Sequence, residues 1–372
     1  MESVKIAHCA DIHMCSKFRK FSVSKANLRN SEIKNSFLNL LKYCDSKIDL
    51  FLIAGDLFDS INVSKEVLEE IKYLVKSVNF KVIISPGNHD FYVSDVYENW
   101  SENVFVFKKN KLEFFDFKSL NTRVWGCSFT NVYSQNFKLK VDNLNSKIIN
   151  IGLVHGDIWS NKNNCYNSIL LSEIESTGFE YLALGHIHNR TEIKKIGDVF
   201  YAYSGCLEGR GFDELGEKGF YIGEISKNCV NLKFKKFCKR MYIEIKIDIT
   251  NLRNNIEVCE KINKKLSDLY GQNYEYNSYK IILVGEVPEE FFINIRDLEL
   301  KLENLFYVEI SDSTEVEANF NKICDDFDLK NIFIKSIKEK INNSTSENDI
   351  LILKNALKIG IRAFRQEVFY DN

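Results

Sequence analysis

The stretch Leu50-Phe51-Leu52-Ile53-Ala54-Gly55-Asp56-Leu57-Phe58-Asp59 runs apolar for five residues, stops at a glycine and then offers two carboxylates. A short apolar run bounded by turn residues suits a strand buried on both faces. Runs of the same form occupy 4–7, 82–85, 149–154 and 181–184. Between them lie helical patterns. In 31–43, Ile33, Phe37, Leu40 and Leu41 share one face, and in 63–75 Val67, Leu68, Ile71, Leu74 and Val75 do the same. Strands alternating with helices predict an α/β layered sheet, with further strands at 104–107 and 123–125.

Each run hands over to a polar motif. Asp11-Ile12-His13 follows the first. In an extended segment alternate side chains share a face, so both would reach one ion. Gly55 lets the chain turn sharply before Asp56. Gly87-Asn88-His89-Asp90 adds a neutral amide oxygen, His155 closes the run 149–154, and Gly185-His186-Ile187-His188 repeats the alternate spacing. Any one of these alone would be an ordinary turn or core histidine. Together they hold five of the chain's six histidines, in order and each at the end of an apolar run, which predicts a metal centre at strand tips.

Carboxylate, amide oxygen and imidazole donors suit Mn(II), Fe(II) or Zn(II), whereas Ca(II) takes all-oxygen shells. Seven donors (Asp11, His13, Asp56, Asn88, His155, His186 and His188) exceed what one ion takes when water must also bind. Two ions sharing a bridging carboxylate explain the count. Such pairs, about 3.5–4 Å apart, serve in-line displacement at phosphorus.

The order Asp-x-His, Gly-Asp-x-x-Asp, Gly-Asn-His-Asp, His-Gly, Gly-His-x-His resembles the calcineurin-like metallophosphoesterase family across roughly the first 230 residues. The segments 6–13, 52–59 and 183–188 are similar to SbcD-type DNA-repair exonucleases, and 203–219 to YhaO-like members. Ser204 stands where many relatives have proline, and Met14-Cys15 where Leu-Gly is usual; neither pair includes a candidate ligand. The resemblance implies a sandwich of two mixed β-sheets flanked by helices. It implies Asp11, His13, Asp56 and His188 around one ion, and Asp56, Asn88, His155 and His186 around the other. A metal-bridging hydroxide would be the nucleophile. His89 would stand beside the scissile phosphate and protonate the leaving oxygen, oriented by Asp59 or, as a weaker candidate, by Asp90. An SMC-type (SbcC/YhaN-like) ATPase partner and a homodimer are also implied.

Other stretches keep two readings. Arg210, between Gly209 and Gly211, reaches a substrate phosphate or faces solvent on a hairpin. Tyr203 and Phe212 stack on a base or pack in the core. Lys233-Phe234-Lys235-Lys236-Phe237-Cys238-Lys239-Arg240 is a nucleic-acid contact or a strand with one solvated face.

From 241 the pattern changes. Strand at 241–249, helix at 255–270, strand at 279–284, helix at 289–304 and strand at 305–311 predict a small α+β unit. Only helical patterns follow, with Ile332, Ile337 and Ile341 in one stretch and Ile350, Leu353, Leu357, Ile361 and Phe364 in the last, which ends at Arg365-Gln366. The expected organisation is a nuclease domain at 1–238, a capping domain at 239–314 and a helical C-terminal segment at 315–372.

With 45% hydrophobic and 27% charged residues the chain is an ordinary globular protein, and its net charge of −2 supplies no global field for nucleic acid. Ten irregularly spaced cysteines without a Cys-x-x-Cys pair predict free thiols in a reducing cytoplasm. No apolar run suffices to cross a membrane, and the N-terminus does not read as a secretory signal. The expected function is a two-metal phosphodiesterase, a Mn(II)-dependent DNA exonuclease in repair. The alternatives are hydrolysis of nucleotides or other small phosphoesters, and an inactive scaffold subunit.

Overall fold

A computed structural model describes residues 2–134, 137–159, 165–288, 291–316 and 329–364. They fall into two compact units, Met1–Met241 and Tyr242–Asn372. In the first unit the order is β1 (Ser3–Cys9), α1 (Val23–Cys44), β2 (Leu50–Ile53), α2 (Lys65–Lys76), β3 (Lys81–Ile84), α3 (Ser94–Tyr97), β4 (Val104–Val106), β5 (Glu113–Phe117), β6 (Thr122–Gly126), β7 (Ile149–His155), α4 (Leu171–Thr177), β8 (Tyr181–Gly185), β9 (Lys194–Ile196), β10 (Val199–Tyr203), β11 (Gly219–Ser226) and β12 (Cys229–Lys236).

One sheet runs β12-β11-β1-β2-β3-β4 and the other β5-β6-β7-β8-β10-β9. Both are mixed: β1 to β4 are parallel with β11 antiparallel to β1, and β6, β7, β8 and β10 are parallel between antiparallel edges. The alternation of side chains along each strand decides the layers. Ile6, Leu50, Leu52 and Ile83 meet Ile151, Leu153, Tyr181 and Ala183 between the sheets. Ala7, Phe51, Ile53 and Ile84 point the other way, onto Phe37, Leu40 and Leu41 of α1 and Ile71 and Val75 of α2. Val154, Leu182 and Leu184 pack outward against Ile174 of α4. The result is the expected sandwich of two mixed sheets flanked by helices.

Each long helix starts where its sequence offers a cap. The hydroxyl of Ser22 accepts from the Lys25 N–H ahead of α1, and that of Ser64 from Val67 ahead of α2. The basic stretch 233–240 supplies the last four residues of β12, an edge strand that buries Leu232 while Lys233 and Lys236 stay exposed, and its remainder lies past the strand with Cys238 and Arg240 buried. Charged residues on an edge oppose further strand pairing. Tyr203 is buried in the core against Val154 and Tyr201, as the packing reading expects.

The second unit holds β13 (Tyr242–Asp248), α5 (Asn255–Tyr270), β14 (Ser278–Val284), β15 (Glu286–Val287), α6 (Ile295–Lys301), β16 (Tyr307–Asp312), β17 (Glu315–Val316), α7 (Leu329–Asn343) and α8 (Glu347–Ala363). A parallel sheet β13-β14-β16 forms its centre. Two expectations are corrected here. Of the expected helix 289–304, whose first two residues lie outside the described ones, the described part is helical only in α6, because Asn294 caps it by accepting from the Asp297 N–H at 3.1 Å while Phe291 and Ile293 are buried ahead of it. The region beyond Ser313 is not wholly helical, since β17 pairs with β15. Arg365 and Gln366, the expected end of the last helix, and Cys324 lie outside the described residues. The other nine cysteines are free thiols.

Candidate metal centre

The parallel strands of both sheets end at a common edge, and the polar motifs sit there, as crevice sites do in open α/β sheets. The first two loops are stitched together: the Asp11 N–H donates to Gly55 O at 3.0 Å and the His13 N–H to Asp56 O at 2.9 Å. The second sheet joins through His155, whose Nδ1 donates to Ala54 O at 2.8 Å. Gly55 is required at that junction. Its φ is +92°, and a Cβ there would lie 2.2 Å from His155 Nδ1.

The sequence reading of the Asp11–His13 pair needs one correction. The two residues do not share a face of an extended strand. β1 ends at Cys9, and both take left-handed backbone, φ 51° for Asp11 and 50° for His13, as does Asp56 at 50°. His186 is also left-handed, at 99°. Their side chains converge through tight turns rather than through the pleat.

Donor atoms of Asp11, His13, Asp56 and His188 lie within 4.8 Å of one another. His155 Nε2 is 3.5 Å from Asp56 Oδ2 and 3.0 Å from Asn88 Oδ1. His186 stands beside His155, ring centroids 5.2 Å apart, and its N–H donates to Asp11 Oδ1 at 3.1 Å. All seven candidate ligands are thus gathered at one place. His89 is exposed, its ring against His13 with centroids 4.8 Å apart.

Asp59 reaches both histidines, by different atoms. Its Oδ1 lies 3.1 Å from His13 Nδ1, and its main-chain oxygen lies 3.2 Å from His89 Nδ1. Asp90 does not orient His89. It is buried, accepts from the N–H groups of Gly87 and Phe58 at 2.9 Å and from the Tyr97 hydroxyl at 2.6 Å, and so ties the motif loops together. Arg210 faces inward: Nη1 donates to Asp59 Oδ1 at 3.0 Å and Nη2 to Glu214 Oε1 at 2.9 Å. Glu214 was not legible as a site residue. Its only sequence signal is an acid four residues after Arg210 in a glycine-rich stretch, whereas its partner His188 is 26 residues away.

The donor set calls for cations. His13 Nδ1 faces the Asp59 carboxylate, and His188 Nδ1 faces Glu214 Oε1 at 2.7 Å. Carboxylates only accept, so each Nδ1 carries a proton, and whenever the ring is neutral its lone pair lies at Nε2. Those two Nε2 atoms face each other at 3.2 Å. His155 repeats the pattern, its Nε2 lone pair aimed at Asn88 Oδ1. Acceptors turned on acceptors repel unless positive charge lies among them.

Acidities agree. Burial pushes Asp11 up to about 7, with His188 opposing and Asp56 adding, and pushes Asp56 up to about 6 against the pull of His89. Burial drives His155 and His186 down to about 3 and His13 well below its ordinary value. Burial also opposes charge on His188, yet among these histidines it alone rises, because the hydrogen bond to Glu214 and the charge of Asp11 outweigh that burial. A proton on His188 and a metal ion would compete for the same Nε2 lone pair. The residues present fit divalent metal ions.

The Calcineurin-like phosphoesterase family matches residues 4–190, just over half of the chain, and the chain belongs to that family. Among its relatives, the uncharacterized metallophosphoesterase YhaO of Bacillus subtilis is 23% identical over 85% of this chain and 83% of that protein. The DNA double-strand break repair protein Mre11 of Methanocaldococcus jannaschii is 25% identical over 93% and 92%. A subunit of the nuclease SbcCD from Staphylococcus epidermidis is 26% identical over 60% and 67%. Among the described residues no helix is long and apolar enough to cross a membrane.

Proposed function

We propose that this protein is a two-metal phosphodiesterase that degrades DNA as an exonuclease in repair, with Mn(II) as its working ion. The reading rests on one observation above the others: the donor atoms of two buried carboxylates and two histidines lie within 4.8 Å of one another, and histidine Nε2 atoms there face one another and the Asn88 oxygen. Asp11, His13, Asp56 and His188 would hold one ion; Asp56, Asn88, His155 and His186 would hold the second. When bound, such ions supply Lewis acidity at phosphorus and make water nucleophilic near neutral pH.

The protein's own groups do the rest. Asp56 Oδ1 is oriented by the His89 N–H at 3.0 Å, and Asp11 by the N–H of His186. His89 is the exposed imidazole at the rim, placed to give a proton to the leaving oxygen. Asp59 positions it through its main-chain oxygen. A substrate phosphate at Arg210 would compete with Asp59 and Glu214 for the guanidinium.

DNA as substrate is supported by the relatives named for double-strand break repair and as a nuclease. That the second of these is one subunit of its nuclease supports a protein partner, for which the motif resemblance suggests an SMC-type ATPase beside a homodimeric arrangement. The free thiols support a reducing, cytoplasmic setting.

The test uses Mn(II)-loaded protein on end-labelled DNA, a chromogenic phosphodiester and nucleotides, beside His89→Ala. The variant should retain metal and lose turnover by about 10²–10⁴-fold, the usual worth of a general acid. Cleavage of small esters alone would move the assignment away from DNA. Equal inertness of both proteins with metal bound would make the chain a scaffold.

A further inference from the structure

Behind the candidate ligands lies a buried group that no proposed ion shell uses. Glu214 is 2% exposed. Its Oε1 accepts from His188 Nδ1 at 2.7 Å and from Arg210 Nη2 at 2.9 Å, and its Oε2 accepts from the Arg210 main-chain N–H at 2.7 Å. Arg210 Nη1 continues to Asp59 Oδ1 at 3.0 Å, and the same oxygen meets His13 Nδ1 at 3.1 Å. Ser16 Oγ adds a contact to it at 3.2 Å. The chain His188–Glu214–Arg210–Asp59–His13 is continuous, and its two ends return to each other through their Nε2 atoms.

A free imidazole has two tautomers and a ring that turns. A carboxylate on Nδ1 selects one tautomer, holds the ring plane and raises the basicity of Nε2. The planar fork of arginine suits two carboxylates at fixed spacing, and its charge offsets one of theirs beside the buried Asp11 and Asp56. His155 is backed differently: its Nδ1 hydrogen-bonds the neutral Ala54 carbonyl at 2.8 Å, with Asp11 Oδ1 no closer than 4.0 Å.

We propose that Glu214, held by Arg210, is a positioning residue that fixes the tautomer and orientation of His188 and, through Asp59, of His13. It thereby sets the affinity for the ion these two would share with Asp11 and Asp56. The inference rests on the two-metal reading above.

Metal affinity tests it without recourse to turnover. Mn(II) is titrated into metal-free protein by calorimetry, with unbound Mn(II) followed by electron paramagnetic resonance. Wild type is compared with Glu214→Gln, Arg210→Lys and the control Glu192→Gln, which removes an exposed ion pair with Arg190. A glutamine can present its amide N–H to His188 Nδ1 and favour the wrong tautomer. Glu214→Gln should weaken one of two ions about 10–100-fold and leave the other, the usual effect of losing such a backing group. Arg210→Lys keeps the charge without the fork and should weaken the same ion less. It carries the test alone if Glu214→Gln does not fold. The control should match wild type. Two ions bound unchanged by both variants, with only a lower melting temperature of the metal-free protein, would make the cluster a mere clasp and overturn the proposal. A wild type that binds no divalent ion would overturn the two-metal reading as well.

Discussion

A single histidine outside every motif shows what residue-level reading misses. His8 lies three residues before Asp11 and is completely buried between the sheets. Its Nε2 donates to Leu184 O at 3.1 Å, so its Nδ1 accepts from the Tyr181 hydroxyl at 2.9 Å, and the ring pins β1 to β8 just beneath the metal centre. Burial lowers its pKa from 6.5 to about 3, against the pull of the Leu184 carbonyl. The sign follows from linkage. Below pH 6.5 the unfolded chain takes up a proton that the folded one refuses, so the stability contributed by neutral His8 is full above 6.5 and falls as pH drops toward 3. His8→Gln keeps a donor and an acceptor but does not titrate. Denaturant melts of metal-free protein between about pH 7 and pH 4 should therefore show a shallower loss of stability for the variant. Parallel curves would refute the assignment. Sequence could name the ligand candidates, because each follows directly on a strand. It could not show that Asp59 turns its carboxylate to His13, or find Glu214, because those partners meet only through the fold.

The elements of the first unit were legible because each carries its own signal: β1, β2, β3, β7 and β8 as apolar runs, α1 and α2 as one-sided helices. Elements set by neighbours were not. The two-residue pair β15 and β17 has too little length for any pattern, and the apolar spacing of 289–304 is shared by a helix and by the buried approach to it. A polar link is hidden from the sequence for the same reason. On α1, Arg29 is wholly buried, pairs with Glu32, and reaches Glu208 at 3.2 Å and Gly209 O at 2.8 Å. Glu32 in turn takes Arg240, and Glu208 takes the Ser36 hydroxyl at 2.6 Å. The helix is thereby fastened to the segment that carries Arg210. Arg29→Met keeps most of the volume and removes the charge, leaving Glu208 buried beside a thioether. Breaking one partner of a buried pair costs about 3–5 kcal/mol, whereas exposed pairs such as Lys34–Glu70 are worth about 0–1 kcal/mol. Chemical denaturation should place Arg29→Met several kcal/mol below wild type and Lys34→Met close to it. Equal midpoints would mean that the cluster contributes nothing to holding α1.

At the scale of the molecule, the first unit has what a self-sufficient domain requires. Its three apolar clusters, on both outer faces of the sandwich and between the sheets, draw every member from residues before 242. All seven candidate ligands, His89, and the Asp59–Arg210–Glu214 brace lie there too. Burial of that extent stabilises a domain at about 25 cal/mol per Å² of apolar surface, and domains of about 100–250 residues commonly fold alone. A chain of residues 1–241 should therefore fold, melt cooperatively and bind two Mn(II) ions with affinities near those of the full protein. If the second unit serves the polymer rather than the chemistry, the short chain should also cleave a chromogenic phosphodiester at a comparable rate while surrendering most of its action on DNA. Residues 1–241 carry 33 Lys and Arg against 28 Asp and Glu, so a loss on DNA would reflect missing contacts from the second unit and not missing positive charge. Calorimetric metal titration and paired assays on the two substrates separate the contributions. A short chain that folds but binds no metal would show that the centre depends on residues beyond 241, and one that digests DNA as well as the full protein would deny the second unit a part in the substrate.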